Sequence, residues 1–63
     1  MAPPKFKEGD KVYYNSAGIK RHAIIHMVRH FIFAGETHWF YDLWIDGRIL
    51  GGYGEGILRL DTE

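Results

Sequence analysis

Apolar and polar positions alternate along this chain in short runs, broken by glycine-containing turns, which is the signature of short strands rather than helices. Residues 11–15 read as a first strand, followed by a turn or loop tip at Asn15-Ser16-Ala17-Gly18. Residues 21–33 are the longest apolar stretch, and Ala34-Gly35-Glu36-Thr37 is the next turn. Residues 38–45, His-Trp-Phe-Tyr-Asp-Leu-Trp-Ile, make the strongest strand, aromatic and alternating. Asp46-Gly47 is a strong hairpin signal, because a tight hairpin turn needs positive φ at both positions. Arg48-Ile49-Leu50 is the return strand, Gly51-Gly52-Tyr53-Gly54 a glycine-rich corner, and residues 56–60 close the chain.

The strand at 38–45 has assignable faces. Asp42 is its poorest core residue, so the face carrying Asp42 is expected towards solvent. Trp39, Tyr41, Leu43 and Ile45 then point inward. Phe40 and Trp44 share the outer face with Asp42 and Asp46. Two large rings beside two carboxylates on an outer face suggest a surface for self-association or for a ligand.

Residues 21–33 admit two readings. As an uninterrupted strand neither face is cleanly apolar. As a helix, His22, His26, Arg29 and His30 fall on one stripe and Ile24, Met27, Val28 and Phe31 on another. β-Branched and aromatic content favours strand. A bulge near His26 then restores the pattern by turning Ala23, Ile25 and Val28 inward. The expected fold is all-β, a small five-stranded barrel over residues 6–63 with a flexible arm at 1–5. The alternative is a βαββ arrangement with residues 21–33 helical.

Sixty-three residues suffice for one domain with a thin core. Cysteine is absent, which excludes disulfides and thiolate metal sites and suits an intracellular compartment, cytoplasm or nucleus. No signal peptide is expected from Met1-Ala2-Pro3-Pro4, and no apolar run nears the ~20 residues of a membrane helix. Four Phe, four Tyr and two Trp are more rings than so small a core hides. The formal charge is zero, which argues against general nucleic-acid binding. Its distribution is uneven. Residues 1–35 hold six basic groups against two acidic ones, and residues 36–63 the reverse.

Few constellations carry chemistry. His22, His26 and His30 recur every four residues, a metal-binding spacing on a helix. On a strand, sites four apart lie about 13 Å from each other, too far to share an ion. The same spacing separates Asp42 from Asp46 and disfavours paired-carboxylate catalysis. Gly51-Gly52-Tyr53-Gly54 lacks the Lys-Ser/Thr of a P-loop. No metal, cofactor or enzymatic activity is expected. An aromatic cage for a quaternary ammonium is a further candidate, from Tyr13 or Tyr14, Trp44 and Tyr53 with Asp46 or Glu55.

Pro4-Lys5-Phe6-Lys7-Glu8-Gly9-Asp10-Lys11-Val12 resembles the opening of a chromo-barrel domain. Ala23-Ile24-Ile25, Phe40-Tyr41-Asp42-Leu43-Trp44 and Glu55-Gly56-Ile57-Leu58-Arg59 resemble its second, third and closing segments. Tudor domains share this frame and the Asp-Gly hairpin. The resemblance implies an SH3-like barrel and, in many members, methyl-lysine recognition through an aromatic cage. It rests on framework positions. Gly47-Arg48-Ile49-Leu50-Gly51-Gly52-Tyr53-Gly54 lacks the Gly-Trp and Trp-Asp-x-Trp of chromo barrels, so only Tyr13 or Tyr14 has a counterpart among the cage residues. Plasmid-encoded type II dihydrofolate reductases share the Phe-x-x-Gly-Asp-x-Val opening. Their pore depends on a Val-Gln-Ile-Tyr stretch, which Ile49-Leu50-Gly51-Gly52 does not reproduce.

The sequence therefore predicts a non-enzymatic module that binds a protein or peptide, with homo-oligomerisation as an additional expectation. Its contact residues are Tyr13, Tyr14, Phe40, Asp42, Trp44, Asp46 and Tyr53, with Arg29 as an orienting group. A nucleic-acid-binding barrel would instead use Lys5, Lys7, Lys20, Arg21 and Arg29, with Tyr13 or Trp44 stacking on bases. A small oligomeric enzyme with its site on a symmetry axis is a third class. The aromatic and His-rich faces also suit an engineered binder on an SH3-like scaffold.

Overall fold

The computed structural model describes residues 3–62, so Met1 and Ala2 of the expected arm lie outside the described residues. Five strands form one antiparallel sheet: β1 (Lys11–Ser16), β2 (Ile19–Phe33), β3 (Glu36–Ile45), β4 (Arg48–Gly54) and β5 (Arg59–Leu60), in the order β4-β3-β2-β1-β5. A single 3₁₀ turn, Glu55–Ile57, joins β4 to β5. Residues 21–33 are strand throughout, which overturns the helical alternative. The glycine-rich corner is also part of a strand, since β4 continues to Gly54. Among the described residues no helix is long and apolar enough to cross a membrane.

Three hairpins share one turn geometry. The central pairs Ala17-Gly18, Ala34-Gly35 and Asp46-Gly47 have φ values of 52/78°, 52/78° and 51/77°. Positive φ at both positions matches the right-handed twist of the flanking strands and lets each hairpin close with two residues. Asp46 tolerates that region well, whereas Ala17 and Ala34 enter it against the steric preference of an L-residue.

The core is built from both ends of the chain and the middle of the sheet. Phe6, Val12, Ala23, Ile25, Tyr41, Leu43, Ile45 and Leu58 are buried together. Tyr14, Val28, Trp39, Tyr53 and Leu60 pack against them. The inward set expected for β3 is present, with Trp39 half-buried at its periphery. The bulge expected near His26 is also present. Ile25 pairs with Leu43 and Met27 with Asp42, which leaves His26 as the extra residue. Without it, β2 would turn either Ala23 and Ile25 or Val28 away from the core.

The N-terminal segment is held by a polar latch. Glu55 Oε2 accepts the Lys5 N–H at 2.9 Å and the Tyr41 hydroxyl at 2.8 Å. That hydroxyl accepts the Phe6 N–H at 3.3 Å, and the Phe6 ring meets the Tyr41 ring edge-on at 5.4 Å. Burial, followed by the bond to Glu55, pushes the Tyr41 hydroxyl up to about 12. Lys7 and Asp10 then close a turn by reciprocal bonds, Lys7 N–H to the Asp10 carboxylate and Asp10 N–H to the Lys7 carbonyl.

Candidate functional site

The outer face of β2 and β3 is where the surplus rings surface. Cross-strand pairing sets Ile24 opposite Trp44, Met27 opposite Asp42, Arg29 opposite Phe40 and Phe31 opposite His38. Across the next pair, Trp44 lies opposite Ile49. Trp44 is 42% exposed, and Ile24, Met27, Phe31 and Ile49 are comparably open. A sheet face this apolar is unusual on an isolated small domain.

Two of the expected outer residues differ from expectation. Phe40 is half-buried because Phe31 lies flat on it, the rings 5.0 Å apart and 10° from parallel. Asp42 shares the outer face but is only 7% exposed, so its expected solvation is corrected. Arg29 covers it, donating from Nε to Oδ2 at 2.9 Å. Beneath it β4 bulges: Tyr41 pairs with Tyr53 and Leu43 with Leu50, leaving Gly51 and Gly52 against Asp42 alone. A Cβ on Gly51 would sit 2.7 Å from Asp42 Oδ1, so any larger residue here must shift the carboxylate that Arg29 holds. A carboxylate this covered requires a partner, and Arg29 supplies it.

A concave groove of about 500 Å³ opens at one end of this face. Ala23, Ile24 and Trp44 are its apolar lining, and His22, Lys11, Asp46 and Asp61 stand around them. The Trp44 ring is braced by His26 at 5.9 Å, so the bulge also positions the groove's aromatic wall. His22 Nδ1 meets Asp61 Oδ1 at 3.2 Å, which orients the imidazole at the rim. The groove thus offers an indole face, an aliphatic floor and hydrogen-bonding groups of both signs at its edges. Sequence reading missed Lys11, His22, Ile24 and Asp61 as a group, because their convergence depends on the β1–β2 register of Lys11 opposite Ile24.

The remaining expected site residues separate. Tyr13 is on the outer face, 6.4 Å from His22, with Lys20 Nζ 4.1 Å above its ring. Tyr14 and Tyr53 meet on the inner, core-facing side, ring centroids 5.3 Å apart. Burial and then a hydrogen bond with Tyr53 raise the Tyr14 hydroxyl above its ordinary value. Trp44 therefore stands on the opposite side of the sheet from the Tyr14–Tyr53 pair. Glu55 is engaged by Lys5 and Tyr41 rather than by a cage.

The three histidines separate too: His22 faces Asp61, His26 faces Trp44 and His30 faces Trp39. Among the described residues no three histidine or acidic side chains gather as a metal site. Two of the basic candidates stand far apart as well. Arg29 is spent on Asp42, and Lys20 lies nine positions away along β2, about 30 Å.

No family model matches this chain, and neither a curated protein nor a solved structure does.

Proposed function

We propose that this chain is an SH3-like barrel acting as a non-enzymatic binding module, which takes a protein or peptide segment across the outer face at Trp44. The observation that carries the reading is the exposed Trp44, set over Ile24 beside a groove of about 500 Å³. Rings of this kind, half-exposed and rimmed by polar groups, supply much of the affinity at protein interfaces. The strand order and the short closing strand after the turn at Glu55 support the barrel frame, as does the Tyr14–Tyr53 contact linking β1 to β4 across the inner side.

The separation of Trp44 from Tyr14 and Tyr53 favours an extended peptide over a caged methyl-lysine. An apolar or aromatic peptide side chain would sit between Ile24 and Trp44. Lys11, Asp46 and the His22–Asp61 pair would orient the flanking backbone and polar groups.

Selection from a displayed library of random peptides tests this. Selected peptides should bind the wild type and lose at least roughly tenfold in affinity against Trp44→Ala, the loss expected of an interface anchor. Lys20→Ala and Arg21→Ala should bind them as the wild type does. Binding should change little between about 50 and 200 mM salt, whereas a phosphate-dominated contact would fall by orders of magnitude. Peptides that ignore Trp44→Ala would overturn the proposal.

A further inference from the structure

Beyond the Trp44 groove, the far half of β2 is an unpaired strand edge. β1 pairs with β2 only as far as Ile24, and Gly9 and Asp10 take both backbone groups of Ile25. After the His26 bulge, residues 27–33 pair with β3 on one side, and no described strand pairs with them on the other. The open edge is thus seven residues long, about 23 Å. Its side chains are Met27, Val28, Arg29, His30, Phe31, Ile32 and Phe33, with Ile32 64% and Phe33 69% exposed. It has no proline, no lysine and no internal bulge, the usual devices that keep such an edge from pairing. The opposite edge of the same ribbon, on β3, is short and carries Glu36, Thr37, His38 and Trp39, since β4 begins pairing only at Phe40.

We infer that this edge pairs antiparallel with the same edge of a second copy of the chain, about a twofold axis at His30. Backbone direction selects the register. Ile25 points its side chain into the core and its N–H and C=O towards the β1 side. Side-chain face and hydrogen-bond direction alternate together on a strand. Val28 and His30 share the inward face, Val28 against the core and His30 against Trp39, and Ile32 follows in the alternation. These three residues therefore present their amides and carbonyls to the open edge. A twofold centred on His30 overlaps the whole edge, because residue 27 then meets residue 33 of the second copy. It makes hydrogen-bonded pairs of His30 with the partner's His30 and of Val28 with the partner's Ile32, on both sides of the axis.

Side-chain complementarity fits the same register. Arg29, the only residue of fixed charge on the edge, falls opposite the partner's Phe31 rather than its own copy, a cation beside a ring instead of two like charges. Met27 falls opposite the partner's Phe33. The exposed rings and aliphatic chains along the edge offer at most roughly 1,000 Å² over both copies, at the scale of about 150–250 Å² per fully buried ring. That is below the usual size of specific interfaces, which suits a weak, concentration-dependent dimer. The pairing leaves the Trp44 groove open and does not depend on it.

The test joins mass to hydrogen exchange on the full chain. Sedimentation velocity over a concentration series should show monomer passing to dimer as concentration rises. The amides of Val28, His30 and Ile32 should gain at least tenfold in protection as the dimer fills. Ile32→Lys, an exposed position, should keep the circular dichroism spectrum and melting temperature of the dilute wild type and lose the dimer. A mass that stays monomeric to millimolar concentration would overturn the inference. So would a dimer whose Val28, His30 and Ile32 amides stay unprotected, or one that survives Ile32→Lys but not Trp44→Ala, which would place the contact on the outer face.

Discussion

Ala34 shows how much stability one residue of this chain leaves unclaimed. It sits at φ 52° in a turn where asparagine or aspartate is the natural occupant. Ala34→Asn should stabilise the protein by about 0.5–1 kcal/mol, since the left-handed region costs an alanine roughly 1 kcal/mol. Chemical denaturation reads that as a higher midpoint at unchanged slope. Gly51 is the opposite case. Gly51→Ala places a methyl group 2.7 Å from Asp42 Oδ1 and must displace the carboxylate from Arg29 or part β4 from β3. A loss of about 2–3 kcal/mol is expected, in the range for disturbing a covered charge. Equal stability of Gly51→Ala and wild type would show that Asp42 is not confined as described. Asp42 itself was legible as an outward residue and illegible as a covered one, because its cover comes from Arg29 on the neighbouring strand, above a bulge in β4, and both depend on strand register.

Among the elements, β2 carries the most consequence. Its strand reading was favoured over a helical alternative by β-branched and aromatic content, and on that reading Ala23 and Ile25 can share a core face with Val28 only if one residue between them is extra. Deleting His26 removes that extra residue, so the segments on either side of it can no longer both face the core. The variant should fail to show a cooperative unfolding transition, whereas His26→Ala, which keeps the count, should retain one. The Asp46-Gly47 hairpin was also legible. Ala17-Gly18 and Ala34-Gly35 adopt the same geometry with a weaker signature, which is why they read only as turns of unspecified type. The groove was the least legible feature. Trp44 and Asp46 are neighbours in sequence, but Lys11, Ile24 and Asp61 join them only through strand register, and register is a property of the assembled sheet.

At the scale of the whole molecule, the Tyr41 hydroxyl ties β3 to both the N-terminal segment and the 3₁₀ turn. Its folded pKa of about 12 stands above the 10.0 of a free tyrosine. A raised folded pKa gives stability that is complete below the unfolded value and is lost as pH climbs through the folded one. Urea unfolding should therefore show stability falling between pH 10 and 12. Tyr14, also raised, adds to the fall in the same direction. Tyr41→Phe should lose about 1–2 kcal/mol near neutral pH and show a shallower alkaline decline.

The molecule as a whole is one sheet with a core-bearing inner side, held by core and latch, and an outer side that keeps Trp44, Ile24 and Ile49 open. Whether that outer side is the binding surface is tested most directly by amide chemical-shift mapping of the full chain with a peptide selected against it. The perturbed amides should cluster on Ile24, Trp44, Ile49 and the rim at Asp46 and Asp61, and the perturbation should vanish in Trp44→Ala. Shifts centred instead on Tyr14 and Tyr53, or persisting unchanged in Trp44→Ala, would contradict it.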